Sequence, residues 1–145
     1  MIALRSLAEN KPDEIMTCSV IRARLGELIA PGIGLQGCES ELFMVGLFSM
    51  IDVLIGRPMS AILADLPVSD RIRHAPMGKA CCYHDVLSMI KAYEKADWET
   101  FFWYAEDLGL NTGQMPKMYI EALEWSNKLP LQENAVRQHY DKFIL

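Results

Sequence analysis

The stretch "ELFMVGLFSMIDVLI", residues 41–55, constrains this chain more than any other. Read as a helix from about Glu39 to Ile55, it has no clear polar face. Leu42, Phe43, Val45, Leu47, Phe48, Met50, Ile51, Val53 and Leu54 nearly surround it. A helix that is apolar all round is buried between other elements. The rest of the chain must therefore supply helices that wrap it.

Those helices are readable. Pro12 suits a first turn, with Asp13 and Glu14 at the positive end of the helix dipole. Ile15, Cys18, Ile21, Leu25 and Leu28 then recur at three- and four-residue steps. Pro31, Gly32, Gly34 and Gly37 break the pattern. After Gly56, "RPMSAILADLP" gives a short helix that stops before Pro67. Ser69 is placed to cap another short segment, "DRIRHAPMGKA". Val86, Met89, Ile90 and Tyr93 form one stripe, and Trp98, Phe101, Phe102 and Ala105 a second, with Asp97 a cap between them. "GQMPKMYIEALEWSNKL" reads as a last amphipathic helix with Tyr119, Ile120 and Leu123 facing in, ended by Pro130. No stretch alternates in the manner of a strand. The expected class is all-α, with one helical domain over residues 1–130 and a mixed tail over 131–145.

At 145 residues the chain fits one domain with a real core. Its net charge of -5 disfavours a general nucleic-acid or anionic-membrane binder, which needs a basic face. Arg71, Arg73, His74 and Lys79 are the one basic cluster, and the prolines around them interrupt any helix-turn-helix, so nucleic acid is not an expected partner. No segment has the roughly 20 unbroken apolar residues of a membrane span. There is no secretion signal, and Cys18, Cys38, Cys81 and Cys82 lack CxxC spacing. A cytoplasmic protein with reduced thiols is expected.

Few residues carry chemistry. A hydrolytic metal centre needs imidazoles and carboxylates that converge on an ion. The only histidines are His74, His84 and His139. Cys81, Cys82, His84 and Asp85 lie close in sequence but lack the spacing of a zinc site, and Asp85 reads as a helix-start residue. There is no nucleophile motif, phosphate loop or dinucleotide fingerprint. No cofactor and no catalytic residue are expected. Asp52 stands out as a carboxylate inside the apolar helix. Buried charges are paired, and Arg22, Arg24 and Arg57 are the candidate partners. Trp98, Phe101 and Phe102 read as core. Trp103, with Arg71 and Arg73, is a candidate for surface interaction.

Four stretches together, "VIRARLGELIA", "ELFMVGLFSMIDVLIGRPM", "ILADLPVSDRIR" and "MIKAYEKADWE", resemble in order and spacing the C-terminal half of an HDOD domain. The branch they resemble most is the one joined to an EAL domain in bacterial signalling proteins related to cyclic di-GMP. The match covers about residues 1–108, and "GLFSMID" and "AYEKADWE" are its most specific pieces. HDOD domains are similar in fold to HD and HD-GYP phosphohydrolases but lack their His-Asp metal dyad. Here the two dyad places hold Ser49 and Met50, a neutral hydroxyl and a soft thioether. The resemblance implies an orthogonal helical bundle and a non-catalytic signalling module that works through protein contacts, and it carries over no catalytic residue. Two alternatives stand beside it: a module that senses a nucleotide or cyclic dinucleotide, and a relict metal-dependent phosphohydrolase. Such domains are usually longer and follow an EAL domain, so a truncated domain is expected. Either its remaining helices close on themselves or two chains cover each other, and self-association is expected, with an EAL domain as a further candidate partner.

Overall fold

The computed structural model describes residues 12–79 and 81–129. The expected tail, Pro130 and His139 lie outside these residues. Eight α-helices are described: α1 (Pro12–Ile29), α2 (Glu39–Phe48), α3 (Ile51–Ile55), α4 (Met59–Ala64), α5 (Asp70–His74), α6 (Cys82–Glu94), α7 (Trp98–Leu108) and α8 (Met115–Asn127). Two 3₁₀ turns, Ala30–Ile33 and Thr112–Gln114, extend α1 and lead into α8. Among the described residues there is no strand, and the class is all-α.

Local chemistry places most of these boundaries. Asp13 and Glu14 occupy the first turn of α1. Gly34 closes the following 3₁₀ turn in the left-handed conformation. The Ser69 hydroxyl accepts from the Ile72 N–H and starts α5. The Asp97 carboxylate accepts from the Thr100 N–H and starts α7. Between α6 and α7 the chain turns through Ala96, a left-handed residue at φ 57°. Its N–H and that of Asp97 bond back to the carbonyls of Tyr93 and Ala92.

α1 is the central element, packed on α2, α8 and α6. Its fully buried positions are not the expected stripe alone. Ile15 and Leu25 are buried, but so are Ser19, Val20, Arg22, Ala23 and Ile29, while Cys18, Ile21 and Leu28 are half-buried. Small residues explain the second face. A Cβ at Gly46 of α2 would lie 2.5 Å from the backbone of Arg22 and Ala23, and one at Gly26 of α1 would lie 2.8 Å from the Leu42 carbonyl. The two backbones touch at both glycines. The Ser19 hydroxyl, buried in this contact, donates to the Ile15 carbonyl and so leaves no unpaired group. Leu25, Ile29, Leu42, Val45, Tyr83, Met89, Ile90, Phe101 and Met115 form the core around it.

Three expectations fail here. The apolar helix is not continuous. It ends at Phe48, because both the backbone N–H and the hydroxyl of Ser49 turn back onto the Gly46 carbonyl. Met50 leaves helical geometry, and α3 begins at Ile51. Beyond this break the chain is not buried: Val53, Leu54 and Ile55 are 41%, 37% and 54% exposed. On α7 the buried arc runs through Phe101 and Ala105, whereas Trp98 and Phe102 are about half exposed. Phe102 lies roughly 100° around the helix from Phe101 and therefore points away from the core. On α8 the inward positions are Met115, Ala122 and Ser126, with Tyr119 and Leu123 half-buried, and Ile120 faces outward.

Candidate functional site

Ser49 and Met50, the places expected to stand for a lost dyad, lie where α2 breaks, and Arg22 of α1 reaches Ser49. Its Nη1 donates to the Ser49 hydroxyl at 3.1 Å. Its Nε and Nη2 grip the Glu94 carboxylate of α6 at 2.9 and 2.8 Å. The Cys18 thiol donates to the same carboxylate at 3.8 Å. Three helices thus meet in one charge-assisted network. Burial alone would lower the Arg22 pKa, but hydrogen bonding and charge attraction from Glu94 outweigh it and hold the guanidinium above its ordinary value. A fixed, charge-paired guanidinium therefore stands at the break after α2.

The surroundings do not favour proton transfer or nucleophilic attack. Burial, followed by the Glu94 charge, raises the Cys18 thiol above its ordinary value, so it stays protonated. Burial and the charges of Glu94 and Cys18 do the same to the Tyr119 phenol. Lys91 is pushed down by burial and by Arg22 and Lys95, against the opposing pull of Glu94 and Asp52. Asp13, Glu14, Thr17, Cys18, Ile21, Glu94 and Tyr119 line a cleft of about 420 Å³ beside the network.

The expected partners of Asp52 are corrected. Among the described residues Asp52 makes no ion pair with Arg22, Arg24 or Arg57. The break at Ser49 carries it, half-buried, onto the short α3, where its charge acts on Lys91. Arg22 pairs with Glu94. Arg24 pairs with Glu27 at 2.6 Å and lies near Glu121, with its guanidinium over the Trp125 ring. Arg57 meets Asp65 only at the surface. Arg73 is spent inside the protein: it donates to the carbonyls of Leu63, Leu66 and Val68 and pairs with Asp70, which ties the end of α4 to α5. Arg71 is exposed and stacks over the Tyr83 ring at 4.5 Å. Trp103 is 63% exposed.

Among the described residues no three His, Cys, Asp or Glu side chains converge as metal ligands. Both ring nitrogens of His84 lie near structural partners, the Ala75 carbonyl and the Ser88 hydroxyl. The Cys81 sulfur caps α6 by accepting from the His84 N–H. Glu94 was missed by sequence reading, although it falls four residues after buried Ile90 and so on the inner face of α6.

No protein-family model matches the chain, and no solved structure matches it. Two curated proteins are similar to it. The uncharacterized protein YuxH of Bacillus subtilis is 34% identical over 118 residues, 80% of this chain. The cyclic di-GMP phosphodiesterase CdgJ of Vibrio cholerae is 25% identical over 123 residues, 85% of this chain. In each case the chain spans 28% of the relative's length. It is therefore a distant relative of part of a cyclic di-GMP phosphodiesterase.

Proposed function

We propose that this chain is the C-terminal part of an HDOD-like module, cytoplasmic and non-catalytic, that serves cyclic di-GMP signalling through protein contacts. The observation that carries the reading is the Arg22 guanidinium bonded to Ser49 and Glu94 at the break after α2. Arg22 occupies the Glu94 carboxylate, the one nearby group that would hold a divalent ion, and the residues that replace the dyad are poor ligands for one. Similarity to part of a cyclic di-GMP phosphodiesterase supports the pathway. The exposed α3 and α7 faces support a role in contacts. The partners we propose are proteins: an EAL domain, or a second copy of the chain.

The test is hydrolysis of cyclic di-GMP by the purified chain with manganese or magnesium. No product above the buffer rate is expected. Metal-dependent turnover that disappears in Ser49→Ala would overturn the non-catalytic reading. Light scattering tests self-association, and a monomer at all concentrations would remove that part of the proposal. No helix among the described residues is long and apolar enough to cross a membrane.

A further inference from the structure

α7 has two unlike faces. Phe101 and Ala105 are buried against the core. Phe102 on the flank and Trp103 on the opposite arc are 52% and 63% exposed. Glu99, Glu106 and Asp107 are also exposed, and helical spacing puts them around Trp103, at one turn before and one turn after it. No lysine or arginine lies anywhere in α7. Shallow hollows of about 480 and 260 Å³ lie against the indole, the first lined by Glu106 and Asp107, the second by Glu99, Thr100 and Tyr104. The Trp103 ring rests edge-on to Tyr104 with centroids 4.9 Å apart, which holds it in place.

An exposed indole costs hydration free energy, and nothing in the core requires it at this position. Its surroundings select what covers it. Three carboxylates attract a cation, and an indole face beside them adds the ring quadrupole. A guanidinium or ammonium on an aliphatic stem satisfies all of these at once: the stem covers the ring while the head meets the carboxylates. A purely apolar partner would bury those carboxylates unpaired.

We propose that the outer face of α7, centred on Trp103 and flanked by Glu99, Glu106 and Asp107, docks an arginine- or lysine-bearing segment of a partner protein. This rests on the reading that the chain acts through protein contacts, and names the chemistry of the contact. Tryptophan and arginine are the residues most enriched where binding energy concentrates, which fits a small anchored site.

The probe is a set of synthetic peptides alternating arginine and leucine, with glutamate–leucine peptides of equal length as controls. Binding to the full chain is followed by fluorescence anisotropy at two salt concentrations. The arginine peptide should bind, more weakly at high salt, and the glutamate peptide should not. Trp103→Ala should weaken binding by at least about tenfold. Glu106→Gln with Asp107→Asn should weaken it and flatten the salt dependence. All these positions are exposed, so melting temperatures should not move, and circular dichroism checks that. Equal binding by wild type and Trp103→Ala, or no binding by wild type, would overturn the proposal. So would a wild-type dimer that Trp103→Ala converts to monomer, because the occupant would then be a second copy. None of these outcomes changes the cyclic di-GMP hydrolysis test, so the two readings fail separately.

Discussion

The α1–α2 seam and the outer face of α7 are built from opposite materials. At the seam the side chains are small or fully paired: Gly26, Ala23 and Gly46 let two backbones touch, and Arg22 joins Ser49 to Glu94. On α7 the side chains are large and uncovered: Phe102 and Trp103 stand beside carboxylates that meet no cation among the described residues. The contrast teaches where the chain spends its polar chemistry. Arg22 and Glu94 hold three helices together at the break of α2, while the carboxylates of α7 lie on an exposed helix.

The largest effect should come from Gly46→Leu. Its side chain would enter the backbone of Arg22 and Ala23, and a loss of about 3 kcal/mol or outright failure to fold is expected in urea unfolding. An unchanged midpoint would show that the helices do not touch there. Next comes Glu94→Gln, which leaves the Arg22 cation without its counter-charge. About 2–3 kcal/mol should be lost, a fall of roughly 8 °C or more in melting temperature. Arg73→Ala removes three carbonyl contacts that join α4 to α5 and should cost about 1–2 kcal/mol. Asp52→Ala, on the exposed side of the break, should change stability by no more than about 0.5 kcal/mol. A large loss would restore the buried ion pair expected from sequence.

Acidity sharpens the same contrast. The folded Cys18 pKa lies above its ordinary value of 9.0, chiefly through burial. The stability this thiol contributes is therefore complete below about pH 9 and is lost as pH rises through the folded value. At pH 8 iodoacetamide should alkylate exposed Cys82 at least about tenfold faster than Cys18, as peptide mass mapping would resolve. Equal rates would mean that the network of Cys18, Arg22 and Glu94 opens freely.

Much of the fold was legible because its signals are local. Pro12, Ser69, Asp97 and Gly34 mark ends through their own backbone chemistry, and the α6 stripe is a clean helical repeat. The break at Ser49 was not legible. It depends on a hydroxyl folding back on Gly46 while a guanidinium from α1 holds it, and the apolar pattern runs through it unchanged. The direction of α7 was hidden for a related reason: Trp98, Phe101 and Phe102 give the same apolar signal, and only the neighbouring helix decides which ring is covered. The Arg22–Glu94 pair spans 72 positions, so only the packing of α6 on α1 reveals it.

The claim that the Arg22–Glu94 network at the break of α2 is a structural lock is tested most directly by a double-mutant cycle in urea unfolding: Arg22→Met, Glu94→Gln and the pair. A lock predicts that the double variant is much more stable than the summed single losses imply, with a coupling energy above about 1 kcal/mol. Coupling near zero would contradict it, and would mean that Arg22 and Glu94 stand at the break of α2 for some purpose other than holding the helices together.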